Sequence, residues 1–335
     1  MTTDDDTPRV GGMAMDAARL RPPRKGTPMK SVQIVSWGTT DDLEVRDIPT
    51  PEAGAGQVRV KVQATGLNPV DWKIIEVMQD KPGGYGAHIV LPSGNGNDYA
   101  GVVDQVGEGV TGVSVGDAVF GGSRYFAQAE YVVDDAGSVI PIPDGLTVAQ
   151  AGGLDIVGRT AVASVRQVAP QAGETVLVSA AAGGVGVIAA QLVRLAGARV
   201  IGTASPANHG YLTELGIEPV AYGDGLVERL RELAPEGIDA VLDNQGRATL
   251  EAAVELGVPT GRINTIAEHS FAAQHGISSV GGAKADNKDL AELAGRIAAG
   301  EILFPIDSVY PLDQVTAAYA HLKAGHLRGK VVLEP

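Results

Sequence analysis

Apolar positions along this chain fall into two textures. Between Ser31 and about residue 147 they come as short runs, Ser31–Val35, Val58–Ala64 and Gly101–Val106, separated by turn clusters at 51–56, 83–86 and 107–109. Short runs bounded by Gly, Pro and Asp predict strands, so the first region reads as mostly β. Beyond residue 147 strand-like and helix-like segments alternate. Thr147–Val168 has helical spacing, and the apolar strand Thr175–Ser179 leads into a helix over Val185–Leu195 with Ile188, Leu192 and Leu195 on one face. Further strands are predicted at Arg199–Thr203, Ile238–Asp243, Arg262–Ile266 and Gly276–Val280, with helices through Leu212–Leu215, Leu226–Leu233 and Leu250–Leu256. That alternation predicts an α/β fold, a doubly wound parallel sheet covered by helices on both faces. After about residue 284, helix Asp289–Ala299, strand Ile306–Tyr310, helix Leu312–Leu322 and strand Lys330–Leu333 close the chain. Residues 1–29 carry neither period and are polar, charged and Pro-rich, which predicts a disordered tail with Met29 as an alternative start or first ordered residue.

Length and charge narrow the function classes. A chain of 335 residues is long enough for two domains, each with its own core. A net charge of −14 argues against a nucleic-acid partner, because such binding depends on Lys and Arg releasing counterions. The chain has no cysteine, which excludes disulfides, thiolate catalysis and Cys-ligated zinc or iron–sulfur centres. No apolar run reaches the 18–20 or so residues of a membrane span, and Asp4, Asp5 and Asp6 stand where a signal peptide is basic. A cytoplasmic protein is expected. The six histidines (88, 209, 269, 275, 321 and 326) show no metal-ligand spacing.

The strongest chemical signal is the segment TVLVSAAAGGVGVIAAQLVRLAG. A buried strand runs into Ala181, Ala182, Gly183, Gly184, Val185 and Gly186, and a helix opens directly behind. Such a turn lets the backbone approach a pyrophosphate, and the helix N-terminus offers unpaired N–H groups and partial positive charge. The next strand selects the dinucleotide. An NAD site wants Asp or Glu about 20 residues on, to hold the ribose 2′-OH. Here the strand runs Val200-Ile201-Gly202-Thr203-Ala204-Ser205, with no carboxylate, and Ser205 can donate to a 2′-phosphate. NADPH is the expected cofactor, with a site accepting either dinucleotide as the alternative.

These segments, with GLNPVDWK (66–73), GNDYAGVV (96–103), VGEGVTGVSVGDAVFG (106–121), GRTA (158–161) and HLRGKVVLEP (326–335), resemble the medium-chain dehydrogenase/reductases of the zinc-independent, quinone oxidoreductase-like branch. The resemblance runs from Met29 to Pro335. It implies a GroES-like mostly-β domain at 30–150 and 285–335, and a Rossmann NADPH-binding domain at 151–284. It also implies that Asn68 lies near the nicotinamide with Thr160 beside it, that the loop from Ala181 to Gly186 wraps the pyrophosphate, and that Ser205 meets the 2′-phosphate. His209 stands where the family usually carries Lys, so the preference for NADPH is expected to weaken as imidazole loses its charge between about pH 6 and 8. Tyr222 falls near a family tyrosine at the adenosine end. In the zinc alcohol dehydrogenases of the superfamily, Cys and His ligate the catalytic metal; here Leu67–Asn68 and Asn97–Asp98 occupy those regions, and Asp98 alone cannot make a zinc site. No metal is expected. The family is commonly dimeric, and the edge strand Gly276–Val280 offers the opportunity for a homodimer.

Without a Lewis acid, hydride goes to a carbon whose product anion is delocalised, as in quinones, enones and enoyl thioesters. The developing oxyanion needs hydrogen-bond donors, for which Tyr85 and Tyr99 are the candidates, each with a structural tyrosine as the alternative reading; Asn68, near the nicotinamide, is the third candidate catalytic residue. Some enoyl reductases of the superfamily place a Tyr just after the N-P-x-D segment, where this chain reads Glu76-Val77-Met78. Asp71 reads as structural, Asp243 as a partner of loop backbone near the cofactor, and Lys330 as a residue facing the cleft. Phe120, Tyr125, Phe126, Ile266 and Phe271 are expected to wall a pocket between the domains for a small-molecule substrate. Two alternatives stand beside a general quinone or enone reductase: a pathway-specific enoyl-thioester reductase, and an NADPH-binding protein without turnover. The G-x-S-x-G match at Gly112–Gly116 lacks the strand-to-helix context of a hydrolase elbow, so Ser114 reads as a hairpin residue.

Overall fold

The computed structural model describes residues 26–77 and 89–335. Strands β1 (Pro28–Ile34), β2 (Leu43–Pro49) and β4 (Ser93–Gly94) form a small antiparallel sheet. β1 begins inside the tail expected at residues 1–29: Met29 is buried and pairs with Ile48, while residues 1–25 lie outside the described residues.

A seven-stranded sheet is built on β3 (Gln57–Gly66) and β5 (Asp98–Val106), continued by β6 (Ala118–Gly122), β7 (Tyr131–Asp135) and β8 (Ile140–Pro141). Its other edge comes from the end of the chain, β14 (Ile306–Pro311) and β15 (Lys330–Glu334), with β15 antiparallel to β3 through Val332 opposite Gly66. The first helix, α1 (Pro69–Glu76), starts where β3 ends. Pro69 supplies the fixed φ of a first helical turn, and the Asp71 carboxylate accepts the Asn68 N–H.

Two helices follow, α2 (Val148–Gly152) with a Thr147/Gln150 capping box and α3 (Asp155–Val168). Then comes the predicted alternation: β9 (Thr175–Val178), α4 (Gly184–Leu195), β10 (Arg199–Ala204), α5 (His209–Glu214), β11 (Glu218–Ala221), α6 (Leu226–Leu233), β12 (Ala240–Asp243), α7 (Arg247–Glu255), β13 (Ile263–Thr265) and α8 (His269–His275). The sheet order β11-β10-β9-β12-β13, all parallel, is the doubly wound order that reverses direction beside β9. One core on this sheet gathers Val176, Ile188 and Val193; the other face gathers Leu177, Leu230 and Leu250. Helix α9 (Asn287–Ala298) puts Leu290 and Leu293 into the first of these cores, against α3. Gly158 makes that approach possible, since a Cβ there would sit 2.7 Å from Leu290 Cδ1. Helix α10 (Val315–Ala324) covers β15 and β1. Among the described residues no helix is long and apolar enough to cross a membrane.

The strand expected over Gly276–Val280 is reduced to a single bridge between Asn264 and Ser278. Gly276 closes α8 in the left-handed region. The Asn264 side chain then takes over the ladder, accepting from Val280 N (2.8 Å) and donating to Val280 O (3.0 Å).

Arg59 of β3 is 1 % exposed and forks onto Asp104 of β5, with Nε–Oδ1 at 2.9 Å and Nη2–Oδ2 at 3.0 Å. Removing one member leaves a buried charge unpaired. Arg59→Met is expected to lower unfolding free energy by about 3–5 kcal/mol, whereas Arg59→Met with Asp104→Val returns most of it. Urea denaturation of both variants checks this; equal losses would mean that the pair itself, rather than the orphaned charge, carries the stability.

Candidate functional site

The turn after β9 is shaped by close backbone packing. Ala180 adopts φ +48°, its N–H reaches Thr203 Oγ1 at 3.0 Å, and Ala181 N–H reaches Thr203 O at 2.9 Å. A Cβ at Gly186 would stand 2.1 Å from Ala180 O, so only glycine lets α4 come this close to the turn. Gly183 is the N-cap of α4, whose first N–H groups have no helical partner and open toward a cavity of about 660 Å³. That volume is in the range of small-ligand sites. Ala181 and Ala182 are buried under the turn. The chain end lies on it from the other side: Gly329 N–H donates to Ala182 O at 2.8 Å, and Gly183 bridges Gly329.

Asp243 ties together the ends of three parallel strands. Its Oδ1 accepts from Ser179 Oγ (2.9 Å), Gln245 N (3.0 Å) and Gly246 N (2.9 Å), and its Oδ2 accepts from Thr265 Oγ1 (2.6 Å). It is a scaffold for the loops, fully buried behind the cavity.

At the far end of β10, the Ser205 hydroxyl is buried without a partner. A buried hydroxyl left unpaired is costly, and a bound oxyanion would satisfy it. Arg328, from the segment before β15, clasps the same turn: Nε donates to Asn208 Oδ1 (2.8 Å), Nη2 to Ala207 O (3.2 Å), and the guanidinium lies 5.1 Å from the Tyr211 ring centroid. The sequence reading lacked a permanent cation here, and Arg328 supplies one from 120 residues downstream of Asn208. Its signal was visible, two residues before Lys330, but nothing local ties it to Ser205. The His209 ring donates through Nε2 to Ala204 O at 3.3 Å, and the Tyr222 hydroxyl lies 3.3 Å from His326 Nδ1.

The opposite end of the cavity is a buried polar cluster. Lys330 is 3 % exposed, and its ammonium donates to Leu67 O (2.6 Å), Asn68 Oδ1 (2.7 Å) and Asp98 Oδ2 (3.5 Å). Asn68 Nδ2 donates to Asp98 Oδ2 at 2.9 Å, and Asp98 Oδ1 accepts from Ile156 N in the first turn of α3. Below it, Asp71 accepts from Asn68 N (2.8 Å) and Asn97 Nδ2 (2.5 Å), and Tyr319 OH donates to it at 3.4 Å. Burial is the largest influence on all three charges. It pushes the Asp71 carboxyl up to about 7 and Asp98 up to about 6, and it pulls Lys330 below its usual range. Among the described residues no three His, Cys, Asp or Glu side chains converge as a metal site; the positive charge beside Asn68 and Asp98 belongs to Lys330.

The structure therefore gathers Asn68, Thr160, Gly183, Gly184, Val185, Gly186, Ile266 and Lys330 around one cavity. Ser205, His209 and Tyr222 group beyond it, at the ends of β10 and β11. Tyr99 is a correction. It is fully buried in the core between β3 and β5, its hydroxyl is given to Asp134 at 2.8 Å, and it does not line the cavity. Tyr85 and Met78 lie outside the described residues. Of the expected apolar walls, Tyr125 and Ile266 line the cavity, whereas Phe120 and Phe271 are packed into cores and Phe126 is exposed elsewhere. Sequence reasoning treated Asp98 only as an insufficient metal ligand and missed its bond to Asn68.

The Asp71 carboxyl offers a check on this cluster. Its folded value of about 7 lies above its ordinary 3.8, so folding takes up a proton between the two. The stability it contributes is full below about 3.8 and is lost as pH rises through about 7. The stability of the wild type relative to Asp71→Asn is expected to fall steadily from pH 4 to 7.5 in urea titrations. A difference independent of pH would mean that Asp71 stays ionised in the folded protein.

Comparison with known proteins agrees with this geometry. The family model described as the alcohol dehydrogenase GroES-like domain matches residues 54–144, and that described as zinc-binding dehydrogenase matches residues 215–333. A quinone oxidoreductase of Pseudomonas aeruginosa is 30% identical over 91% of this chain and 99% of its own length. Erythronolide synthase of Saccharopolyspora erythraea is 32% identical over 88% of this chain, which spans 8% of that much longer protein. Among solved structures, mycobacterial Rv1454c complexed with NADPH superposes with a TM-score of 0.80 at 27% identity, covering 92% of this chain and 100% of that one. A GroES-like β domain joined to a parallel five-stranded dinucleotide sheet, with this extent of similarity, places the protein in the medium-chain dehydrogenase/reductase superfamily, in its quinone oxidoreductase-like branch.

Proposed function

We propose that the chain is an NADPH-dependent reductase that transfers hydride to a quinone or to an activated C=C bond of a small molecule. The observation that carries this reading is the shared cavity: the glycine turn and N-terminus of α4 open into the same space as the buried Asn68–Lys330–Asp98 cluster. Bound NADPH supplies a hydride donor. The residues that would hold it are Gly183–Gly186 at the pyrophosphate, Ser205 and Arg328 at the 2′-phosphate, and Asn68, Thr160 and Ile266 around the nicotinamide end. The orphaned Ser205 hydroxyl and the absence of a carboxylate at the end of β10 support NADPH over NADH. The mycobacterial neighbour described with NADPH supports the same choice.

The quinone oxidoreductase relative favours a quinone, and the similarity to erythronolide synthase supports the enoyl-thioester alternative. Both substrates leave their charge on a delocalised oxyanion. The reading includes a division into a GroES-like unit at 30–150 and 285–335 and a cofactor unit at 151–284. It also includes a homodimer formed along the segment around Ser278, and a cytoplasmic location.

Two measurements test it. Purified protein is expected to oxidise NADPH with at least one of a quinone, a simple enone or an enoyl thioester, chelator present; binding without oxidation of any would favour a protein without turnover. For the cofactor, Arg328→Ala is expected to weaken NADPH about tenfold or more while leaving NADH nearly unchanged, read by fluorescence titration. Arg328 keeps its charge from pH 6 to 8, so its contribution to the NADPH preference is expected to persist across that range. A preference unaffected by Arg328→Ala removes this residue from the site.

A further inference from the structure

The Asn68 carboxamide is gripped at both ends. Its oxygen accepts from the Lys330 ammonium at 2.7 Å and its nitrogen donates to Asp98 Oδ2 at 2.9 Å. These two bonds fix which way the amide faces, and they polarise it in one sense: a cation pulls electron density toward the oxygen while a carboxylate draws on one N–H. The second N–H of Nδ2 has no partner among the described residues, and Asn68 lines the cavity. Three glycines from separate elements make the grip possible. A Cβ on Gly66, Gly153 or Gly184 would come within 3.1–3.3 Å of the Lys330 stem, closer than side chains normally pack, so the three glycines leave clear the channel that this side chain threads. Tyr99 is spent on Asp134 and does not line the cavity, whereas Asn68 lines it at the floor where Lys330 also stands.

We propose that the free N–H of Asn68 is the hydrogen-bond donor for the substrate oxyanion, and that Lys330 and Asp98 are positioning residues that orient and polarise it. The inference rests on the reductase reading above and specifies its chemistry. When hydride reaches the carbon β to a carbonyl, its electron pair forms the new C–H bond. The C=C π pair shifts to make the enolate C=C, and the carbonyl π pair moves onto oxygen, where Asn68 meets it. The proton that completes the reduction comes from water, at carbon for an enone or at oxygen for a quinone.

The test uses 4-nitrophenol, whose phenolate is a stable, coloured mimic of an enolate oxygen, titrated into the protein with and without NADP⁺. The wild type is expected to bind the phenolate and to lower the probe's apparent pKa. Lys330→Met combined with Asp98→Asn removes both charges but keeps Asn68. It is expected to return the probe's pKa toward its free value and weaken phenolate binding about tenfold or more, with NADPH affinity held within about threefold. Asn68→Leu leaves Lys330 and Asp98 paired with each other and is expected to return the probe's pKa and weaken phenolate binding in the same way when read without NADP⁺, which keeps the test open should the double variant not fold. Failure of the wild type to bind the phenolate, or equal binding and equal probe pKa in wild type and variants, overturns the proposal. The reductase reading stands or falls separately on NADPH oxidation: a protein that shifts the probe through Asn68 yet oxidises no NADPH contradicts that reading and not this donor.

Discussion

A primary ammonium taken out of water must be fully hydrogen-bonded, and this requirement at Lys330 organises the site. Its three acceptors come from the end of β3, from the N-cap of α1 and from the start of β5, while Lys330 itself opens β15. One side chain thereby ties the returning chain end to the strands β3 and β5 of the seven-stranded sheet, next to the dinucleotide turn that Gly329 also touches. The cost of burying the charge is offset by Asp98, which is itself held by the first turn of α3. Position and polarity of the cavity floor follow from that one constraint.

The cofactor end obeys a related rule with weaker enforcement. Asp243 collects four donors from three loops and sets where the strand ends stand, so the turn after β9 is rigid before anything binds. The Ser205 hydroxyl and the exposed Arg328 are less constrained, and they lie where a ligand rather than the fold must complete the hydrogen bonding. The chain is thus most saturated where hydride chemistry needs fixed dipoles, and least saturated where it must accept and release a dinucleotide.

The parallel sheet was legible because each β–α pair writes its own local period, and the glycine turn was legible because its spacing is a local backbone demand. The strand at Gly276–Val280 was misread because its apolar run looks like a strand while a side chain, Asn264, intercepts its ladder. Of the two readings of Tyr99, donor and structural tyrosine, the structural one holds; strand alternation assigns it a face but not which core that face meets. Arg328 and Asp98 were under-read for a common reason, that their partners lie 120 and 30 residues away.

By itself the sequence determined the α/β class, the dinucleotide turn, the missing carboxylate after β10 and the kinship with medium-chain dehydrogenase/reductases, all of which are properties of contiguous residues. Tertiary structure alone decided that Lys330 reaches Asn68, that Asp98 completes the grip, and that Arg328 clasps Ala207 and Asn208 in the turn that follows Ser205. Those contacts depend on how β15 docks against β3 and how three distant glycines clear a channel, and close packing between non-adjacent segments leaves no periodic trace along the chain.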